Sequence, residues 1–424
     1  MIVARAFANK HYAVLGLARS GLATARALVA SGAHVTAWDA KEEARAQAPS
    51  DVTLADPMAI DLTGFDGVVV SPGVPINRHP IADHARKAGV PIIGDIELFA
   101  LARAELPAHR VVGITGTNGK STTTALIHHI LDTAGVPTRL GGNIGLPILS
   151  QEPLPDGGVY VLELSSFQID LTRSLACDVA VLTNVTPDHL DRYDGFADYA
   201  AAKERLFTLQ HADQTAVIAT DDGPSRMIAS RVAHRLIRVS ANDIADQTLW
   251  PSLQGPHNAQ NVACAKAVAR ALGVDDEAIE AGLRSYPGLA HRMERVRERA
   301  GVLFVNDSKA TNPTSAAPAL AAYPVVHWIL GGQAKADDLD ACAPYFGHVK
   351  AAYTIGEAAS MFAGLLRPHV TVTEAGTLAA AVEAAAQAAL PGETVLLSPA
   401  CASFDQFRDF EARGDAFRVA VEAL

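Results

Sequence analysis

Cysteine and long apolar runs are both scarce in this chain of 424 residues. The four cysteines are Cys177, Cys264, Cys342 and Cys401. They are far apart and form no CxxC pair, which excludes a disulfide framework and a zinc site and predicts buried thiols in a reducing compartment. No run of about 18 apolar residues occurs, so we expect no membrane span. Arginines interrupt the apolar stretch near the N-terminus, which argues against a signal peptide, and we expect a cytoplasmic protein.

A surplus of basic residues is also lacking. The chain has 46 acidic residues against 35 lysines and arginines, for a net charge of -11. This charge disfavours nucleic acid as the main partner, because binding its phosphates requires a basic surface. A small anionic substrate is still compatible with this charge, since a few local donors are enough to hold it.

Strand and helix patterns alternate along the whole chain, which predicts an α/β fold with parallel sheets. The length is too great for one ordinary core. We predict three domains, with boundaries at polar or Pro/Gly-containing stretches, covering residues 1–97, 98–290 and 291–424. The first and third are expected to be Rossmann-like, and the central one to be a P-loop domain with a mostly parallel sheet.

The segment 110–122, RVVGITGTNGKST, has the layout of a phosphate-binding loop. An apolar strand runs into a small glycine-rich turn, and a helix follows Lys120. Backbone N–H groups from Gly116 to Lys120 can point into one concavity, and the helix adds its positive N-terminal dipole. Lys120 would reach the β- and γ-phosphates, and the Ser121 hydroxyl would bind Mg²⁺. The strict motif requires glycine at Ile114, however, and an ordinary strand–turn–helix is the alternative.

Several polar residues of the central segment also suggest a role in catalysis. Glu163 ends an apolar strand, where an acid can hold Mg²⁺, although many strand-end acids are simply exposed. His189 lies in a polar loop and is either a metal ligand or a hydrogen-bonded structural residue. Lys203 lies in a helical pattern, which by itself predicts a solvated lysine. Asn258 and Asn261 are three apart at a helix start and are either nucleotide contacts or caps.

The turn 16–21, GLARSG, resembles a dinucleotide-binding fingerprint, with Asp39 at the end of the next strand. Ala18 occupies the middle glycine position, which restricts close approach of a pyrophosphate. We therefore favour a nucleoside diphosphate over a dinucleotide. A structural turn without ligand and an NAD-dependent oxidoreductase remain alternatives.

Three segments of the last third place polar residues directly after predicted strands, where parallel sheets bind their ligands. They are 306–312, 331–335 and 398–403. Cys401 lies in the last segment, but no base accompanies it.

In combination, these motifs resemble the Mur ligases of peptidoglycan synthesis over essentially the whole chain. The motifs are GTNGKST (116–122), GGNIG (141–145), ELSSFQ (163–168), NVTPDH (184–189) and NDSKATN (306–312). The last of these, together with SPACASFDQF (398–407), is similar to the member that adds D-glutamate. Two departures are a shortened segment 239–257 and Gln333, where relatives carry an acid.

The resemblance implies ATP, Mg²⁺, UDP-N-acetylmuramoyl-L-alanine and D-glutamate as ligands. We also expect no nucleic-acid partner, no membrane span and a monomer. The implied catalytic residues are Lys120, His189, Lys203, Asp307 and Lys309. The implied ATP contacts are Gly116, Thr117, Asn118, Gly119, Lys120, Ser121, Thr122, Asn258, Asn261, Arg292 and Asp307. The implied Mg²⁺ ligands are Ser121, Glu163, His189 and Lys203, the last as a carbamate.

The same resemblance implies two groups of substrate contacts. The UDP-sugar would meet Leu17, Arg19, Ser20, Asp39, Ala40, Lys41, Ser71, Gly73, Asn77, Asn143 and His189. D-glutamate would meet Thr311, Lys335, Ser403 and Phe410. The implied reaction transfers the γ-phosphoryl group of ATP to a carboxylate, and an amino acid then attacks the acyl phosphate. Another amide ligase of the family, a folylpolyglutamate-type ligase and an ATP-regulated binding protein are the rival interpretations.

Overall fold

The computed structural model describes residues 1–335 and 337–424, and within them three sheets carry the fold. The chain divides into two compact units. The first contains residues 1–240 and 261–282, and the second contains residues 241–260 and 283–424. The first unit holds two of the sheets and the second unit holds the third.

The first sheet has the strand order β3-β2-β1-β4-β5, and all of its pairs are parallel. Its strands are β1 His11–Leu15, β2 His34–Trp38, β3 Thr53–Leu54, β4 Gly67–Val70 and β5 Ile92–Ile93. Its helices are α1 Arg19–Ala30, α2 Glu42–Arg45, α3 Ile81–Lys87 and α4 Asp95–Ala102. The four apolar residues of β4 are all buried, as expected for a strand covered on both faces.

Asp95, the first residue of α4, is 5% exposed, and its Oδ1 accepts a hydrogen bond from the Ile96 N–H at 3.0 Å. Burial raises the pKa of this carboxyl group to about 6. Glu97, in the same first turn of α4, accepts hydrogen bonds from the backbone N–H groups of Arg173 and Ser174 and from the Ser174 hydroxyl. These bonds attach α4 to the loop before β9.

The second sheet has the order β11-β10-β9-β6-β8-β7 and is also entirely parallel. Its strands are β6 His109–Thr115, β7 Thr138–Gly142, β8 Gly158–Glu163, β9 Val179–Leu182, β10 Thr215–Ala219 and β11 Arg235–Val239. The helices of this part of the chain are α5 Lys120–Thr133, α6 Ser166–Asp170, α7 Phe196–Thr208, α8 Gly223–Arg231, α9 Pro256–Ala271 and α10 Asp276–Ser285.

The third sheet has the order β12-β13-β17-β14-β15-β16. Its strands are β12 Glu294–Arg299, β13 Val302–Asn306, β14 Val326–Gly331, β15 Val349–Ile355, β16 Thr371–Gly376 and β17 Thr394–Leu397. Its helices are α11 Pro313–Ala322, α12 Ala359–Leu366, α13 Leu378–Ala388 and α14 Phe410–Glu422. Only β12, an edge strand, pairs antiparallel with its neighbour among the described residues.

The predicted α/β fold with mostly parallel sheets is confirmed. The boundaries near residues 97 and 290 stay predictions. Five strands were not predicted, namely β3, β5, β7, β11 and β12. Within the described residues, no helix is both long and apolar enough to cross a membrane.

Candidate active site

The glycine-rich turn predicted to bind phosphate joins β6 to α5, and two of its glycines have positive φ. Gly116 has φ 147° and Gly119 has φ 79°, a region that side chains disfavour. A Cβ on Gly116 would lie 2.0 Å from the Thr183 Oγ1, and one on Gly119 would lie 2.4 Å from the Asn261 Oδ1. Only glycine fits at these positions, so the backbone itself forms the surface of the turn.

The departure from the strict phosphate-loop motif has a packing explanation. Ile114 is fully buried in β6, and a Cβ on Gly113 would lie 2.6 Å from the Cys177 Sγ. Gly113 is therefore required by close packing of the strand, while Gly116 makes the turn.

The turn is supported from behind by the residues that follow β9. The Asn118 N–H donates to the Asn184 Oδ1 at 2.8 Å, and the Asn118 carbonyl accepts from the Thr183 Oγ1 at 2.6 Å. The Thr117 N–H donates to the Asn184 carbonyl at 2.9 Å. Sequence reasoning missed this supporting role of Thr183 and Asn184, although Asn184 stood in one of the motifs.

Lys203 is only 2% exposed, so the interpretation of a solvated lysine is wrong. Its Nζ donates to the Gly116 carbonyl at 2.8 Å and lies 4.5 Å from the centre of the Tyr199 ring. Lys120 directs its Nζ to the same carbonyl at 2.9 Å and to the Thr117 carbonyl at 2.8 Å. Burial first, and then the charge of Lys120, hold the pKa of Lys203 well below its usual range, which favours a neutral amine.

Glu163 is 1% exposed, and so it is not the exposed strand-end acid of the alternative interpretation. Its Oε1 accepts from the Asn143 Nδ2 at 2.8 Å, and its carbonyl accepts from the Asn143 N–H at 2.8 Å. Its Oε2 is buried and has no hydrogen-bond partner within the described residues. An uncompensated buried carboxylate oxygen is costly, and a cation would satisfy it.

The other predicted metal ligands are placed differently. Ser121 is 3% exposed at the start of α5, directly after Lys120. The side chain of His189 is 50% exposed, and its ring lies 5.1 Å from that of Phe167. Within residues 1–335 and 337–424, no three His, Cys, Asp or Glu side chains form a group that could hold a metal ion. A metal here therefore needs ligands of other kinds, such as the Ser121 hydroxyl.

The first sheet presents its own polar edge, where the predicted UDP contacts follow β1, β2 and β4. Asp39 accepts from the Leu17 N–H at 2.7 Å and from the Lys41 N–H at 2.9 Å, so its two oxygens order both turns. A Cβ on Gly21 would lie 1.8 Å from the Gly16 carbonyl oxygen, which explains the glycine. The structure brings these predicted residues to one edge: Leu17, Arg19, Ser20, Asp39, Ala40, Lys41, Ser71, Gly73 and Asn77.

A cavity of about 280 Å³ lies between the loop after β4 and the loop before α7. Asn77 and Phe167 line it, together with Arg192, whose guanidinium lies 4.1 Å from the Phe167 ring centre. The Asn77 Nδ2 donates to the Arg192 carbonyl at 2.5 Å. This contact joins the predicted UDP edge to the loop that carries His189.

In the second unit, the three predicted polar segments follow the adjacent strands β13, β17 and β14 and so share one edge. Asp307 is 7% exposed and accepts from the Ser398 Oγ at 2.8 Å and the Met293 N–H at 3.2 Å. Burial raises the pKa of Asp307 to about 7, although these hydrogen bonds act in the opposite direction. The Lys309 Nζ lies 4.0 Å from the centre of the Phe410 ring.

Arg413 of α14 organises this edge, and sequence reasoning missed it. Its side chain is 1% exposed and donates to the Ser308 Oγ at 3.0 Å, the Ser308 carbonyl at 2.9 Å and the Cys401 carbonyl at 3.0 Å. The loops after β13 and β17 are thereby held together. Burial lowers the pKa of Arg413 to about 10. Nothing in the sequence separates Arg413 from Arg418, the other arginine of the same helix.

The remaining predicted residues of the second unit differ in exposure. Ser403 is buried, Thr311 and Phe410 are half-buried, and Lys335 is exposed. Asn258 is 4% exposed and donates to the Gln254 carbonyl at 3.0 Å. Arg292 forms an isolated antiparallel β-bridge with Leu289. Cys401 is fully buried, and burial raises its pKa to about 12, which disfavours a thiolate nucleophile.

Comparison with known proteins gives matches along the whole chain. Residues 10–94 match the Mur ligase MurD-like N-terminal domain, residues 114–265 the Mur ligase middle domain, and residues 291–401 the Mur ligase glutamate ligase domain. A UDP-N-acetylmuramoylalanine–D-glutamate ligase of Sphingopyxis alaskensis is 68% identical over 100% of both chains. Its counterpart in Novosphingobium aromaticivorans is 66% identical over 100% of this chain and 97% of that protein.

Two solved structures share the fold at low sequence identity. UDP-N-acetylmuramate–alanine ligase from Thermotoga maritima has a TM-score of 0.59 and 16% identity, covering 98% of this chain and 99% of that one. A pseudomurein peptide ligase type C from Methanothermus fervidus has a TM-score of 0.57 and 19% identity, covering 98% and 100%. At this identity the likeness concerns the fold alone.

Proposed function

This chain belongs to the Mur ligase family, and we propose that it joins D-glutamate to UDP-N-acetylmuramoyl-L-alanine with cleavage of ATP to ADP and phosphate. The relatives that carry the name of this reaction are similar to the chain over its full length. The reaction belongs to cytoplasmic peptidoglycan precursor synthesis, so we place the protein in the cytoplasm.

The observation that carries the proposal is the convergence of two lysine amines on the glycine turn beside a buried glutamate. Lys120 and Lys203 both donate to the Gly116 carbonyl, and Glu163 keeps one oxygen without a partner among the described residues. Phosphoryl transfer to a carboxylate brings two anions together, so positive charge must be held at the reacting groups. The turn supplies backbone N–H groups for the phosphates, and Lys120 supplies a mobile cation.

In the first step, an oxygen of the L-alanine carboxylate attacks the γ-phosphorus, and the bond to the β-phosphate oxygen breaks. The products are an acyl phosphate and ADP. Lys120, released from the Gly116 and Thr117 carbonyls, would follow the phosphoryl charge during this transfer. In the second step, the D-glutamate amine attacks the acyl carbon, phosphate leaves, and the amine gives up a proton.

The residues present fit a Mg²⁺ site. The orphaned Glu163 Oε2 and the buried Ser121 hydroxyl are oxygen donors of the type that Mg²⁺ requires. A bound Mg²⁺ would neutralise charge on the phosphates. Lys203 would add a third donor as a carbamate, because a neutral buried amine can react with CO₂ and then carries anionic oxygens. His189 would contact the sugar end of the substrate from its exposed loop position.

The second unit would bind D-glutamate and provide the remaining contacts to ATP. Lys335 and Ser403 would hold the two carboxylates of the amino acid, with Thr311 and Phe410 beside them. Arg292, Asp307 and Lys309 would act on the nucleotide, as would Asn258. The Arg413 hydrogen bonds support this assignment because they fix the loops that carry Asp307 and Ser403.

The deciding experiment measures phosphate release with UDP-N-acetylmuramoyl-L-alanine, ATP and Mg²⁺ against a panel of D- and L-amino acids. We expect turnover with D-glutamate alone. Turnover with another amino acid would assign the chain to a different reaction of the family. Absence of turnover with every amino acid, together with tight ATP binding, would favour an ATP-regulated binding protein.

A further inference from the structure

A cavity of about 410 Å³ lies beside α1, on the side that faces the segment following Asn143. One face of α1 lines it with Arg19, Leu22 and Arg26, which are spaced so that they lie one above another on the helix. The opposite wall is formed by Leu146 and Pro147. The volume is in the range of sites that hold small molecules.

The charge of this cavity is opposite to that of the chain. The lining residues include two arginines and no carboxylate, although the chain has 46 acidic residues against 35 basic ones. Arg19 donates to the Gly145 carbonyl at 2.9 Å through one nitrogen, which leaves the other donors of its guanidinium available to a ligand. Two arginines two helical turns apart, about 10 Å, suit an anion better than any neutral ligand.

The cavity also offers an apolar surface. Leu146 is 62% exposed, which is high for a leucine, and it lies opposite Leu22 with Pro147 beside it. An apolar surface next to guanidinium groups fits a molecule that carries an acid on an apolar body. The predicted UDP contacts after β2 and β4 do not line the cavity, and Arg19 alone is shared with that set.

The cavity is connected to the candidate active site by a short stretch of chain. Arg19 holds the carbonyl of Gly145, and Gly145 is two residues from Asn143, whose side-chain amide donates to Glu163. An acid that draws Arg19 away from Gly145 would free the loop that positions Glu163.

We propose that this cavity is an accessory site for a small amphipathic acid, a molecule with a sulfonate, carboxylate or phosphate group on an aromatic or aliphatic body. The acid group pairs with Arg26 and with Arg19, which exchanges its hydrogen bond to the Gly145 carbonyl for the acid, and the body lies on Leu22, Leu146 and Pro147. Occupancy slows the ligase through the Asn143 loop, a consequence that rests on the proposed function.

The binding test uses 8-anilinonaphthalene-1-sulfonate as the probe, with the full chain and saturating UDP and adenylyl imidodiphosphate. We expect a saturable fluorescence increase in the parent protein and in Arg235→Glu, a matched charge reversal on β11. Arg26→Glu should weaken the binding about tenfold or more, because a charge-assisted contact becomes repulsive. Equal binding by Arg26→Glu and the parent would overturn the proposal, as would the lack of a saturable component.

The coupling is tested separately by turnover in the presence of the same probe. The parent and Arg235→Glu should be slowed, and Arg26→Glu should keep its rate at probe concentrations that slow the parent. Binding that depends on Arg26 but leaves turnover unchanged would remove the connection to the Asn143 loop. Since binding is measured without turnover, failure of the proposed ligase reaction would leave the binding result intact.

Discussion

The amines of Lys120 and Lys203 share one acceptor, the Gly116 carbonyl, at 2.9 and 2.8 Å. Two ammonium groups at one oxygen repel each other, and burial adds a penalty for the charge on Lys203. The arrangement therefore favours a charged Lys120 beside a neutral Lys203. One lysine is suited to hold phosphate and the other is suited to chemical modification.

Replacing Lys120 with alanine should lower turnover about a hundredfold or more while the protein stays folded, because charge on the transferring phosphoryl group would lose its cation. The measurement is ADP release under saturating substrates, with circular dichroism as the check on folding. Lys266→Ala, which removes a lysine paired with Glu280, is the matched control and should retain activity. Near-normal ADP release by Lys120→Ala would count against the mechanism.

Lys203→Ala should be inactive and should recover part of its activity when formate or acetate is added. The reason is that a small carboxylate can occupy the space of the lost side chain and supply the oxygens of the proposed carbamate. The measurement is phosphate release over a series of carboxylate concentrations. Full activity of Lys203→Ala without any addition would eliminate the carbamate from the mechanism.

Glu163→Gln should increase the Mg²⁺ concentration needed for half-maximal turnover by about tenfold or more. The amide keeps the shape of the side chain but loses the charge of the orphaned oxygen. The control is Glu204→Gln, which changes a glutamate paired with Arg231 at 2.6 Å on α7. An unchanged Mg²⁺ dependence in Glu163→Gln would show that this carboxylate is not a metal ligand.

Asp95→Asn should change how stability depends on pH. The folded-state pKa of Asp95 is raised from 3.8 to about 6, so the folded chain binds more protons than the unfolded chain between these values. The parent should therefore lose stability as the pH rises from 4 to 6, by roughly 3 kcal/mol for this group alone. Asparagine cannot ionise but can still accept the Ile96 N–H hydrogen bond.

The check for Asp95 is urea unfolding of the parent and the variant at pH 4.5 and pH 7.5. The free energy of unfolding of Asp95→Asn, relative to that of the parent, should be higher at pH 7.5 than at pH 4.5. Asp51→Asn, at an exposed position in the turn before β3, should show no such difference. If the free energies of unfolding of Asp95→Asn and the parent differed by the same amount at both pH values, the pKa of Asp95 would not be raised by folding.

Arg413→Lys should destabilise the second unit by about 3 kcal/mol, because a lysine cannot reach all of the acceptors and would leave buried carbonyls unpaired. Urea unfolding followed by tryptophan fluorescence, with Trp38 and Trp250 replaced by phenylalanine so that the fully buried Trp328 of the same unit is the reporter, provides the measurement. Arg408→Lys is the control, since that arginine is 82% exposed. Equal unfolding midpoints for the two variants would contradict this assignment.

The sequence was sufficient for features that depend on local order along the chain. The alternation of strands and helices predicted the parallel sheets, and the spacing from Gly116 to Lys120 predicted the turn. Long-range contacts were beyond it. Lys203 is buried because the turn that contains Gly116 packs over α7. Arg413 is buried by two loops, one of which contains Ser308, 105 residues earlier in the chain, and the other Cys401, 12 residues earlier.

Edge strands were also hard to predict, for a physical reason. The pattern of β12, ERVRER, has almost no apolar periodicity, since an edge strand needs little burial. β3 has only two residues and β7 ends in two glycines. The adjacent strands β2, β8 and β13 determine where these edge strands pair, and the composition of the edge strands themselves contributes little.

The antiparallel strand β12 has a consequence for the behaviour of the protein in concentrated solution. It closes one side of the third sheet with five charged residues out of six, two acidic and three basic. A second molecule that approached this unpaired backbone would have to strip water from those charges before any strand could add. The outer edge of β12 is thereby protected against the addition of strands from other molecules.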